Sequence, residues 1–344
     1  MIANTISSPT FRFLKVNSKE TEFKDVNPAP FSDIQDSSYE IQKAFGGYRF
    51  GVSEEAIRQN RERANARLVY EVKRDENLKH IKFKLSDKND ILVDDIQIVS
   101  YDGVKSKFLI EYTNDGDTDS FRNSVLYVYG KKNSETNVHV VTNQNENSHI
   151  WHSIGFILED NAVLNIYQTE IGVGKKLFSC MGKLNGEKSD FNLKGSYLLQ
   201  NEESMDMLYN VDLYGRKSHT DILVNGVQKD FSHKTFKGTI DFKHGSKSSV
   251  GSEAEYVTLL DKTVVSKSVP ILLCTEEDVV GNHASSAGQI DKNILFYIMS
   301  RGLSFDEAKS LIVKSRLVPV IDALPDKSLR DRLLTEIDNR MIKK

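Results

Sequence analysis

The chain has 344 residues, 39% hydrophobic and 28% charged, with interspersed charges summing to −3. That is enough apolar content for one elongated or two compact domains, and it supplies no long-range field for nucleic acid or an anionic membrane. Met1 to Val16 lacks an apolar leader, and no later stretch approaches the roughly 18 to 20 apolar residues of a spanning helix, so a cytoplasmic protein is expected. Two cysteines, Cys180 and Cys274, lie far apart with no CxxC or CxxxH spacing, which excludes a self-contained zinc or iron–sulfur site.

Residues 1 to about 40 are polar, with Pro28 and Pro30 close together, and read as an irregular arm. Ser53-Glu-Glu-Ala reads as a helix start, and Ile57, Ala64, Leu68 and Val69 recur at helical spacing up to about Arg74. From about Ile81 to Leu273, short runs rich in Val, Ile, Tyr and Phe are broken every ten residues or so by Asn, Asp, Gly and Lys. Examples are Ile96–Val99, Phe108–Tyr112, Val125–Tyr129, Ala162–Tyr167 and Phe236–Phe242. Such strands fit a sandwich, a barrel or a parallel β-helix, and spacing alone does not separate them. The scarcity of NG or DG hairpin signals favours the β-helix, with Asn114-Asp115-Gly116 and Asn225-Gly226 as turn-like exceptions. Helical patterns then return. Ile294, Leu295, Tyr297 and Ile298 form a face expected to be buried, ending at Arg301-Gly302. Ser304-Phe305-Asp306-Glu307 is a capping box followed by Ala308, Leu311 and Ile312, and a last helix from Pro325-Asp326 carries Leu329, Leu333, Ile337 and Met341. The expected organisation is an N-terminal arm and helix (1–80), a strand core (81–275) and a C-terminal helical subdomain (276–344).

No phosphate loop, dinucleotide fingerprint, nucleophile elbow or His-Glu-x-x-His helix is present, and Gly172-Val173-Gly174-Lys175-Lys176 lacks Walker A spacing and its hydroxyl. No catalytic residue is assigned. The pair His149 and His152 points to opposite faces of a strand, so solvated or core histidines are the better reading. A carbohydrate-active β-helix enzyme, lyase or hydrolase, is the alternative function, and it would need clustered carboxylates such as Asp94-Asp95 or Glu202-Glu203 beside aromatic platforms. The most informative stretch is Val279-Val280-Gly281-Asn282-His283-Ala284-Ser285-Ser286-Ala287-Gly288-Gln289, where His283 sits among small residues that allow close approach. Chemistry alone favours an interdomain histidine satisfied by a backbone carbonyl. Ile271-Leu272-Leu273-Cys274 reads as a buried strand, its thiol packed as a small hydrophobe.

Asn282-His283-Ala284-Ser285-Ser286, Leu295-Phe296-Tyr297 and Ser300-Arg301-Gly302-Leu303 resemble the C-terminal signature of the SufB/SufD family, SufD branch. Asp221, Lys237-Gly238, Leu259-Leu260 and Pro270 resemble landmarks upstream of it, and the likeness is firm from about residue 160 onward. The SufB branch carries a cysteine before the Leu-Leu pair and glutamates beside the signature histidine; Tyr256, Val257, Asn282 and Ala284 stand there instead. Ala284 replaces the family's usual glycine. The resemblance implies a mainly β protein, a right-handed parallel β-helix flanked by N- and C-terminal helical segments. It also implies a non-catalytic scaffold of the SufBCD complex for iron–sulfur cluster assembly. Its partners would be a SufB-like subunit, or a second copy of this chain, and the SufC ATPase docked on the C-terminal helices. His283 would be the ligand this chain offers to a transient cluster shared with the partner; imidazole is a suitable borderline ligand for iron.

Overall fold

The computed structural model describes residues 1–9 and 12–341. Two short strands, β1 (Ile2–Ala3) and β2 (Lys19–Glu20), pair antiparallel, and helices α1 (Tyr39–Ala44) and α2 (Glu54–Arg63) follow. Sixteen further strands alternate between two eight-stranded, wholly parallel sheets. The first sheet holds β3 (Ala66–Val72), β5 (Ile91–Ser100), β7 (Ser120–Gly130), β9 (Ser148–Leu158), β11 (Lys175–Leu184), β13 (Ser204–Leu213), β15 (His233–Phe242) and β17 (Val265–Cys274). The second holds β4 (Glu76–Leu85), β6 (Lys105–Asn114), β8 (Glu135–Asn143), β10 (Val163–Glu170), β12 (Asp190–Leu199), β14 (His219–Gln228), β16 (Ser249–Leu259) and β18 (Val279–Gln289). Each inner strand pairs in parallel with those one turn before and after it, so the chain winds as a parallel β-solenoid. Three helices close it: α3 (Lys292–Met299), α4 (Phe305–Ile321) and α5 (Lys327–Met341).

The winding has a local cause. Asn133, Asn161, Lys188, Lys217 and Ser248 occupy the same corner of successive turns, all with positive φ. Their amides form a ladder between corners: Asn133 N donates to Asp160 O, Asn161 N to Glu187 O, Lys188 N to Arg216 O and Lys217 N to Lys247 O, each at 2.9 Å. A left-handed residue at each corner sends the strand into the opposite sheet, where a hairpin would have sent it back. Asn114 does end a strand, but Asn225-Gly226 lies inside β14. There Gly226 is needed for space, because a Cβ would come within 1.9 Å of the Tyr197 ring.

Alternate residues point into the stack, where Ile96, Phe108, Val140, Phe156, Leu193, Val211, Ile222 and Phe242 belong to one buried core. Both sheets are also covered outside, which explains the long buried runs of central strands such as β5, β7 and β9. Over the even-numbered strands, α4 and α5 set Val313, Leu317, Leu329, Leu333 and Ile337 on Leu109, Val141, Leu198 and Val227. Over the odd-numbered strands, Ile41, Phe45, Phe50 and Ile57 pack on Val99, Val125, Tyr127 and Ile157.

Several sequence expectations need correction. The helix expected up to Arg74 ends at Arg63; Leu68 and Val69 lie in β3, where parallel pairing with β5 outweighs helical spacing. Strands therefore run from 66 to 289, and the expected boundaries at 81 and 275 fall inside the stack. The capping box of α4 forms, but Leu311 is exposed and the buried stripe is Ala308, Val313, Leu317, Val320 and Ile321. Helix α3 forms where expected and is not buried: Ile294, Phe296 and Tyr297 all face solvent. Residues 342–344 of the expected C-terminal subdomain lie outside the described residues.

Candidate functional site

The two ends of the solenoid differ. At the N-terminal end the arm lies along the first strand: Arg67 N donates to Asp33 O and Gln35 N to Arg67 O, each at 3.1 Å, and Phe31 packs against Phe83. At the other end, among the described residues, β17 pairs only with β15, and β18 only with β16. Their outer edges carry unpaired backbone donors and acceptors, a template for a further strand.

His283 lies on this open turn. Its register partner is Glu253 of β16, and residues paired in parallel strands face the same side. Glu253 is buried, and at Gly281, two residues from His283, a Cβ would point at Leu272 and Phe242 of the core. His283 thus belongs to the inward-facing column of β18, yet it is exposed because no further turn covers it. Gly281 and Ser285, its neighbours in that column, leave it uncrowded. The reading of His283 as a junction histidine satisfied by a backbone carbonyl is not met: no hydrogen bond to its imidazole occurs among the described residues, its backbone being paired with β16.

Behind His283 runs a file of buried polar side chains. Tyr112 Oη donates to Asp94 at 2.7 Å, and the Arg122 guanidinium stacks 3.7 Å from the Tyr112 ring centre while donating to Gln144 and Ser124. Lys176 Nζ donates to Glu170 at 2.5 Å, Gln168 bonds the same carboxylate, and Tyr209 Oη donates to Gln168. Glu255 accepts from Lys234 Nζ at 2.7 Å and from Tyr197 Oη at 3.1 Å. Glu253 is different. Its Oε1 accepts from the Ile271 amide at 3.1 Å, and among the described residues its Oε2 has no hydrogen-bond partner and no cation faces it. Burial pushes its pKa up to about 8. Pro270 and Gly238 lie opposite, paired with each other; a Cβ on Gly238 would come within 2.1 Å of Glu253 Oε2.

Other candidate residues separate. Cys180 is buried in the core, and burial raises its thiol above its usual range. Cys274 is exposed on the last turn, its Sγ donating to Glu276 O at 2.8 Å. The expected burial of 271–274 fails at its end because no turn follows. His152 is buried between Tyr112 and Phe178, whereas His149 faces outward, half-buried. The acidic pairs do not make facing carboxylates: Asp94 points inward while Asp95 points outward to Arg67 at 2.8 Å, and Glu203 is buried against Arg340 while Glu202 is exposed. No group of three or more His, Cys, Asp or Glu side chains with metal-site geometry occurs among the described residues. No described helix is long and apolar enough to cross a membrane. Sequence reasoning missed Glu253 altogether; the signal available was its spacing two residues before Glu255 in a strand, which puts both on one face.

A two-sheet parallel solenoid with one capped end, one open end and a histidine in the open mouth places the chain among the parallel β-helix proteins. The family model for the SufBD core domain of SUF system FeS cluster assembly matches residues 83–316, and the chain belongs to this family. It is 33% identical over 128 residues to the iron–sulfur cluster assembly protein SufD of Bacillus subtilis, covering 37% of this chain and 29% of that protein. Against SufD of Escherichia coli the identity is 22% over 198 residues, 58% of this chain and 47% of that protein. A SufBD family iron–sulfur cluster assembly protein of Mycobacterium leprae is 23% identical over 193 residues, 54% of this chain and 49% of that protein. Each of these matches spans less than half the length of the relative. The resemblance to the SufD branch, and the parallel β-solenoid it implied, are borne out.

Proposed function

We propose that this chain is a SufD-like scaffold that pairs through its last turn with a SufB-type subunit and supplies His283 to a nascent iron–sulfur cluster at that junction. The observation that carries this reading is the inward-facing, solvent-reachable His283 on an unpaired terminal turn of a SufBD-family solenoid. A partner strand added to β17 or β18 would satisfy the free edge groups and bring the partner's side chains over the mouth. The cluster is cargo, held by one imidazole from this side and thiolate or carboxylate from the other, which suits later release. Helix α3 and the start of α4 expose Ile294, Phe296, Tyr297, Phe305 and Leu311 beside this end, an apolar surface that fits a SufC-type ATPase. The chain would transmit the work of ATP hydrolysis without performing it, in the cytoplasm. A carbohydrate-active enzyme finds no support, since the acidic pairs it would use point apart.

The test is co-purification of the full chain with SufB- and SufC-type proteins from its host, beside a V280K/S286K variant whose lysines lie on the exposed edge strand. Recovery of the SufB-type partner with the wild type and its loss with the variant is the expected result. Equal recovery, or a complex of this chain only with itself, contradicts the pairing.

A further inference from the structure

Among the described residues, the other deeply buried carboxylates face a cation: Glu170 has Lys176, Glu255 has Lys234, Asp206 has Lys237, Glu203 has Arg340 and Asp94 has Arg122. Glu253 is as buried as these and, like Glu170, leaves one oxygen without a partner, but unlike them it has no counter-charge among the described residues. An uncompensated buried acid is costly, and an orphan oxygen of this kind calls for a missing group. The position of Glu253 indicates which group. It stands one turn below His283 in the same inward column, where neighbouring strands are about 4.8 Å apart. Its bond to the Ile271 amide draws the carboxylate toward the last turn, the turn that carries His283. Gly238 opposite leaves room for the free oxygen, which lies where a side chain at that position would stand.

We propose that Glu253 is a second metal donor of this chain, so that one divalent iron entering the solenoid mouth meets the His283 imidazole and the Glu253 carboxylate together. This rests on the reading of His283 as a ligand. A carboxylate and an imidazole are a compatible pair for ferrous iron, and the remaining positions stay open for groups from across the junction. The half-site would let this chain hold iron before sulfide or the partner arrives.

The experiment is an anaerobic titration of the full chain with Co(II) as a spectroscopic stand-in for Fe(II), followed by calorimetry and X-ray absorption. The comparison set is wild type, Glu253→Gln, Glu253→Asp and His283→Ala. Glutamine keeps an oxygen for the Ile271 amide, and circular dichroism with thermal melting reports whether each variant folds; aspartate, which keeps the charge but withdraws it, serves if glutamine does not. One saturable site in the wild type, weakened about tenfold or more by either Glu253 variant and by His283→Ala, is the expected result. Loss with His283→Ala but wild-type binding with Glu253→Gln overturns the role of Glu253 and leaves the histidine reading standing. Unchanged binding in both, or no saturable binding by the wild type, overturns the half-site and speaks against the histidine reading as well.

Discussion

Glu253 and Glu255 sit two residues apart on one strand and face the same interior, yet one is fully partnered and the other is not. Glu255 lies where Lys234 and Tyr197 reach it. Glu253 lies where the opposite sheet offers Gly238 and Pro270, which bring neither a side-chain donor nor, for proline, an amide. The same contrast holds for the two ends of the stack: residues 31–35 cap the first turn, and nothing in the described chain caps the last. In the closed turns the buried carboxylates other than Glu253 face a cation. The last turn leaves its outer edges unpaired and Glu253, one turn below it, lacks a counter-charge, as expected of a surface completed by another molecule.

Removing one charge from a partnered pair in the core has the largest expected effect. Lys234→Met strands Glu255 in the core and is expected to cost on the order of 3–5 kcal/mol, measured by chemical denaturation. A double Lys234→Met, Glu255→Leu variant should recover much of that loss; no recovery would mean that the pair's other contacts dominate. Asp94, near the capped end, has its pKa pushed up to about 6 by burial, against the opposing pull of Arg122. The folded state therefore favours the protonated form. Stability contributed by this group is present below about pH 3.8 and is lost as pH rises through about 6, by on the order of 3 kcal/mol. Asp94→Asn should flatten that slope, and an unaltered slope would assign it to another group. Removing the cap side chain, Phe31→Ala, should cost about 1–3 kcal/mol, less than a fully buried phenylalanine because Phe31 is half-buried. At the open end, His283→Ala should change stability by no more than about 0.5 kcal/mol. A loss comparable to that of Phe31→Ala would mean that the last turn is packed like the first.

Much of the fold was legible because strand-rich runs without hairpin turns leave few architectures, and the C-terminal signature pointed to one of them. What stayed hidden depended on contacts between turns. Leu68 and Val69 fit a helix by spacing and became a strand because β5 pairs with them. Ile294 and Tyr297 have a buried helix's pattern and are exposed because no described element covers that side of α3, which meets α4 elsewhere. The corner positions of Asn133, Asn161 and Lys188 share a conformation, not a residue type, so their repeat does not show as sequence identity. His283 was singled out by its motif and Glu253 was not, since only the register of β16 against β18 makes them neighbours.

If the open turn supplies His283 to a cluster completed by a partner, anaerobic iron and sulfide loading of the purified complex with SufB- and SufC-type subunits must depend on that imidazole, and wild type is compared with His283→Ala. The prediction is that the variant assembles normally and fails to load. Wild-type iron and sulfide content in the variant complex would contradict it.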